Sequence, residues 1–206
     1  MNISLYSMAY PVTSLGPGSR VVLWVAGCPH RCPGCISPEM LDFQAGKRIP
    51  VEVLLRRLRK LAPHSIDGIT VSGGEPFSQP APLIELFREL REERPDWNVQ
   101  IYSGYTLAEI RAADGKQAQL LDYADILVDG LFMREIPQVH AFAGSGNQVV
   151  HYLTARGAAL RSVMDAATLP QVNYGVGNGT FDMLVGVVQD EPRNAIIDSL
   201  REDRDK

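Results

Sequence analysis

Arg20-Val21-Val22-Leu23-Trp24-Val25-Ala26-Gly27-Cys28-Pro29-His30-Arg31-Cys32-Pro33-Gly34-Cys35 is the stretch from which the rest of the chain can be ordered. Arg20 to Ala26 is a short, nearly continuous apolar run, the pattern of a strand buried on both faces, as in a parallel sheet. The turn-rich Ser14-Leu15-Gly16-Pro17-Gly18-Ser19 leads into it. Directly after it, at the expected carboxyl end of the strand, come Cys28, Cys32 and Cys35, the only three cysteines of the chain.

Outward from this stretch, strand and helix signals alternate. Val51, Leu54, Leu55, Leu58 and Leu61 form one helical stripe, with Arg56, Arg57, Arg59 and Lys60 facing away. Gly68 to Ser72 reads as a strand ending in Gly73-Gly74-Glu75-Pro76. Ala81 to Glu93 reads as an amphipathic helix. Val99 to Ser103 reads as a third strand, closed by Gly104. Leu107 to Ala113 and Gln117 to Tyr123 are shorter helical segments, and Asp125 to Asp129 is a fourth strand before Gly130. This alternation predicts an α/β fold with a parallel sheet. In such sheets the loops after the carboxyl ends of the strands form the binding face. The cysteine loop, Gly73-Gly74-Glu75-Pro76, Ser103-Gly104 and Asp129-Gly130 all fall there. Beyond Leu153 the pattern weakens. Arg156 to Ala167 reads as helical, Tyr174 to Gly179 as a loop, Phe181 to Val188 as a strand and Glu191 to Lys206 as a charged terminal helix.

The chain has 206 residues, 45% hydrophobic and 21% charged, which suits one soluble domain with a real core, or a domain plus an appendage. A net charge of −4 gives no general attraction to nucleic acid or anionic lipid. Met1 to Tyr10 lacks the basic-then-apolar pattern of a secretory signal, and Val21 to Ala26 is far too short to cross a bilayer. The expected setting is a reducing cytoplasm, with neither nucleic acid nor membrane as a partner.

The cysteines are spaced C-x3-C-x2-C within eight residues. An odd count in loops this short excludes a disulfide framework. Three soft ligands this close suit one [4Fe–4S] cluster that keeps an iron free of protein, since such clusters normally take four cysteines. The alternative is a non-catalytic zinc module with His30 or His151 as fourth ligand. The two glycines of Gly73-Gly74-Glu75-Pro76, following a strand, let the backbone approach a ligand closely, or simply make a tight turn.

With these motifs in place, the chain resembles the radical S-adenosylmethionine (SAM) enzymes. More narrowly, it resembles the activating proteins of anaerobic ribonucleoside-triphosphate reductase. The matching residues are Gly16-Pro17-Gly18 with Arg20, the loop from Gly27 to Cys35, Ser72-Gly73-Gly74-Glu75-Pro76, Ser103-Gly104-Tyr105, Leu127-Val128-Asp129-Gly130 with Phe132, and Gly144-Ser145-Gly146-Asn147-Gln148. The resemblance implies an open, partial (β/α)6 barrel over 1–153, with 154–206 as a C-terminal extension packed on it. It implies a [4Fe–4S] cluster and SAM as cofactors, and reductive cleavage of SAM to a 5′-deoxyadenosyl radical. The expected partners are a glycyl-radical enzyme such as anaerobic ribonucleotide reductase and a flavodoxin or ferredoxin as electron donor. A radical SAM enzyme acting on a peptide or small molecule is the competing reading. Ile36-Ser37-Pro38-Glu39, where relatives often have Tyr-Asn after the third cysteine, leaves the partner open.

Carried over residue by residue, the resemblance makes Cys28, Cys32 and Cys35 the cluster ligands and the catalytic centre. Gly73, Gly74 and Glu75 would hold the SAM amino group, mostly through backbone. Ser103 and Asp129 would contact the ribose or methionyl part, although Asp129 is equally a turn-former before Gly130. Asn147, with Gln148, would lie near the SAM pocket, or else cap its own loop. His30 reads as solvent-facing or cluster-adjacent, and Arg20 as a surface strand residue.

Overall fold

A computed structural model describes residues 1–61, 64–169, 172–176 and 182–187. The chain opens with β1 (Asn2–Val12), which pairs antiparallel with β2 (Arg20–Val25), and every residue of β2 is buried. After the cysteine loop come β3 (Lys47–Pro50) and α1 (Val51–Leu61), then β4 (Gly68–Gly73), α2 (Pro80–Glu93) and β5 (Asn98–Tyr102). Two short helices, α3 (Leu107–Ala112) and α4 (Lys116–Leu121), lead to β6 (Ile126–Asp129) and β7 (Val149–Tyr152). Then follow α5 (Ala155–Ala159), α6 (Arg161–Asp165) and the hairpin β8 (Val172–Val176) and β9 (Asp182–Gly186).

The main sheet has seven strands in the order β3-β1-β2-β4-β5-β6-β7. β2, β4, β5 and β6 are parallel neighbours, and antiparallel pairings add β1, β3 and β7 at the flanks. The α/β class therefore stands. The six βα units expected reduce, among the described residues, to four parallel strands extended by antiparallel ones. β1 and β3 were not legible as strands: β1 mixes buried, half-buried and exposed residues with little alternation, and β3 is mostly exposed.

Period-2 alternation assigns the two sheet faces. Val21, Leu23, Val25, Ile69, Val71, Val99, Ile101 and Leu127 pack under α1 and α2 in the main core. Burial of side chains of this size is worth about 1.5–3 kcal/mol each. Among the described residues the opposite face carries no helix layer over β2. There Val22 and Trp24 pack with Val12, Leu15, Met40, Val185 and Val187. The C-terminal hairpin is thus seated on the open side of the sheet. Asn173 Oδ1 accepts from the backbone N–H groups of Thr13 and Ser14, both at 2.8 Å, and Ser14 Oγ donates to the Val185 carbonyl at 2.8 Å.

Arg20 belongs to this open face, and the surface position expected for it is wrong: it is fully buried. Its Nε donates to Thr70 Oγ1 at 2.6 Å, one terminal nitrogen to the Pro17 carbonyl at 2.9 Å and Asn98 Oδ1 at 2.7 Å, and the other to the Ile69 carbonyl at 2.8 Å. Burial lowers its pKa to about 10, opposed by the nearby Tyr102, Asp67 and Asp125, so it stays charged near neutrality. A charge this deep is tolerable only because its donors are met.

Tyr174 to Val176, expected in a loop, belongs to β8, and the strand expected over Phe181 to Val188 is β9. Gly177 to Gly179 and the helix expected over Glu191 to Lys206 lie outside the described residues. Among the described residues no helix is long and apolar enough to cross a membrane.

Candidate functional site

The carboxyl ends of β2, β4, β5 and β6 open onto one rim, where four of the motifs converge. The cysteine loop leaves β2 through Gly27, whose φ of +94° is open to glycine and strained for other residues. Gly27 N–H donates to the Met40 carbonyl at 2.9 Å and Cys28 N–H to the Leu41 carbonyl at 3.0 Å, so the loop's root is pinned to the chain beyond it.

Gly73-Gly74-Glu75 lies directly against that root. Gly74 N–H donates to the Val25 carbonyl at 2.7 Å, and Glu75 N–H to the Gly27 carbonyl at 2.8 Å. A Cβ added at Gly74 would stand 2.3 Å from the Gly27 carbonyl oxygen, and one at Gly73 2.5 Å from that of Val25. The sequence expects these glycines to let the backbone approach a ligand closely, or to make a tight turn. The close approach they allow in the structure is to the backbone of β2 and the cysteine loop, and the two loops form one braced unit.

Glu75 ties the unit to β5. Its carboxyl group is 1% exposed. Oε1 accepts from Phe77 N–H at 2.9 Å and from Ser103 Oγ at 3.0 Å, and Oε2 accepts from Gly104 N–H at 2.8 Å. Ser103 Oγ also accepts from Tyr105 N–H at 3.0 Å. Both side chains are therefore committed to protein groups, and any ligand at this edge meets backbone.

Asp129 is neither a plain turn residue nor open. Its Oδ2 accepts from Leu107 N–H, the first residue of α3, and stands 3.0 Å from His151 Nε2. Asn147 Nδ2 donates to the Leu131 carbonyl at 2.8 Å, while Gln148 accepts from Gly144 N–H at 2.7 Å and donates to the Gly130 carbonyl at 2.8 Å. Both latch the loop after β6. Two further side chains, Tyr105 of the Ser103-Gly104-Tyr105 motif and Arg134, which no motif flagged, also sit at the rim. Tyr105 packs edge-on against His30, with ring centroids 4.3 Å apart, and Arg134 lies against Gly34 of the cysteine loop.

Cys28 is buried, while Cys32 and Cys35 are half-buried. Burial pushes the Cys28 thiol up; backbone N–H groups of His30 and Arg31 oppose this, and Glu75 and Cys32 add to it. Burial pushes Cys35 up too; the Ser37 backbone opposes it, and Cys32 and Cys28 add to it. The cysteines of the loop thus oppose one another's ionisation. Such a set suits a soft, multi-iron centre whose positive charge would offset that repulsion. Among the described residues no three His, Cys, Asp or Glu side chains gather to hold a single metal ion. A cubane does not require that, because each thiolate takes a different iron. The histidines offered as a fourth zinc ligand face carboxyl groups instead: His30 Nε2 is 3.2 Å from Glu75 Oε2, and His151 Nε2 is 3.0 Å from Asp129 Oδ2.

A family profile described as a 4Fe-4S single cluster domain matches residues 14–151. The anaerobic ribonucleoside-triphosphate reductase-activating protein of Vibrio cholerae is 36% identical over 156 residues, covering 72% of this chain and 98% of the relative. The protein of the same name from Escherichia coli K12 is 35% identical over 154 residues, with the same coverage of both chains. That of enterobacteria phage T4 is 29% identical over 146 residues, covering 69% of this chain and 90% of the relative. The cluster-domain match takes in every candidate site residue, and the relatives are covered over nearly their whole length. The chain belongs to the family of anaerobic ribonucleoside-triphosphate reductase-activating proteins.

Proposed function

We propose that this protein installs a glycyl radical on an anaerobic ribonucleotide reductase, using a [4Fe–4S] cluster and SAM. The sheet would serve as a partial radical SAM barrel, with both cofactors at the carboxyl ends of its parallel strands. When bound, the reduced cluster and SAM supply a 5′-deoxyadenosyl radical that removes a hydrogen atom from a glycine Cα of the partner. Cys28, Cys32 and Cys35 would hold three irons. Carbonyls along Gly73-Gly74-Glu75 would accept from the SAM amino group. Ser103, Asp129 and Asn147 act, in this reading, by holding the rim's backbone in place around the cofactor. A flavodoxin or ferredoxin would supply the electron, and clusters can reach the low potential required, down to roughly −700 mV.

The observation that carries the reading is the pair of backbone hydrogen bonds from Gly74 to Val25 and from Glu75 to Gly27. They fix the root of the three-thiol loop beside a Gly-Gly edge, an arrangement in which one small molecule would bind an iron and that edge together. Holding reactants in such geometry is worth orders of magnitude in rate.

The competing reading, action on a peptide or small molecule, has one observation in its favour: the C-terminal hairpin covers part of the open face of the sheet. Electron paramagnetic resonance separates the two. Reduced, cluster-loaded protein mixed with SAM and anaerobic ribonucleotide reductase is expected to give a glycyl doublet. SAM cleavage without that doublet would favour the competing reading.

A further inference from the structure

His30 stands between Cys28 and Cys32, yet its side chain turns away from solvent and is 14% exposed. One edge of the ring lies on the Gly104 backbone so closely that a Cβ there would be 2.5 Å from ring Cδ2. The ring also meets Tyr105 in a T-shaped contact, with centroids 4.3 Å apart. Nε2 is buried with no aligned hydrogen bond, and the acceptor it addresses is Glu75 Oε2 at 3.2 Å. The same carboxyl group is held by Phe77, Ser103 and Gly104. A buried ring nitrogen addressed to a buried carboxyl group is a specific arrangement, since buried polar groups are costly unless matched.

We infer that His30 is a positioning residue: a strut that sets the cysteine loop at a fixed distance from the Gly73-Gly74-Glu75 edge and from β5, through Glu75. This rests on the proposed use of a cluster and SAM. The root of the cysteine loop is braced by the backbone bonds at Val25 and Gly27. Its middle, from Cys28 to Cys35, is braced to the rim through His30. SAM would have to reach an iron held by that middle and the Gly-Gly edge at once, so a displacement of the middle alone separates two points that must be bridged.

The test uses full-length protein reconstituted anaerobically, with SAM affinity and the SAM-induced change in the spectrum of the reduced cluster as readouts. His30→Ala is expected to load iron and sulfide as the parent does, to bind SAM roughly tenfold more weakly and to lose most of the spectral change. His30→Phe keeps the packing on Gly104 and Tyr105 without the donor and is expected to behave like His30→Ala. His30→Gln carries an amide donor at similar reach and is expected to restore both readouts. Parental SAM affinity in a fully loaded His30→Ala protein would overturn the strut, as would rescue by Phe equal to that by Gln. A parent that takes up no cluster or binds no SAM would instead overturn the proposed function, so the two failures are told apart.

Discussion

Glu75 shows why single residues at this rim matter more for placement than for direct contact. Four groups converge on its carboxyl oxygens, drawn from its own loop, from the end of β5 and from the cysteine loop. The motifs were legible because they are local: C-x3-C-x2-C and Gly-Gly-Glu are read within a few residues. The partners of Glu75 and Arg20 were not legible, because they lie 28 residues away at Ser103 and 78 residues away at Asn98, set by strand register. Two residue-scale outcomes follow. Gly74→Ala forces a methyl group into the Gly27 carbonyl, which is expected to cost about 1–3 kcal/mol in urea unfolding and to weaken SAM binding with the cluster still loaded. Arg20→Lys replaces a planar fork by a compact ammonium that cannot reach Thr70, Asn98 and two carbonyls together. It is expected to lower stability by about 2–3 kcal/mol, read as a lower urea midpoint with no change in slope.

At the scale of elements, α3 is short and depends on its first turn. Thr106 Oγ1 accepts from Glu109 N–H at 3.2 Å, and Glu109 Oε2 accepts from Thr106 N–H at 2.7 Å, a reciprocal cap. Thr106→Ala is expected to cost about 1 kcal/mol in chemical unfolding. The backbone and hydroxyl donors of Thr106 also hold the Glu109 carboxyl below its usual range. A depressed carboxyl contributes stability above its unfolded pKa and loses it as pH falls through the folded value. The stability difference between parent and Thr106→Ala should therefore shrink on acidification below the ordinary glutamate range. Elements with strong periodicity, such as α1 and β2, were readable from sequence because one face decides them. β1 and β3 were not, since they are partly exposed and are held by pairing with β2 and with each other.

Across the whole molecule, the sheet has one face closed by helices and one closed in part by the C-terminal hairpin. Asp125 fastens the chain beyond β7: its side chain accepts from Thr154 Oγ1 at 2.6 Å, Arg91 at 2.7 Å and Val99 N–H at 2.8 Å. The cluster-domain match ends at 151, ahead of the hairpin. Val185→Asp places a charge among Val12, Leu15, Val22, Trp24 and Met40. It is expected to lift the hairpin, seen as a red shift of tryptophan emission and easier proteolysis after β7, with the cluster loop still able to load iron. An unchanged emission spectrum and cleavage pattern would argue against that seating.

The most direct measurement is made on protein reconstituted with iron and sulfide without air and reduced with dithionite in the presence of SAM. The expected result is about four irons and four sulfides per chain, with matched amounts of methionine and 5′-deoxyadenosine formed by the parent and none by Cys32→Ala. A parent that carries a stoichiometric zinc ion instead, or that holds a full cluster and leaves SAM intact, would contradict it.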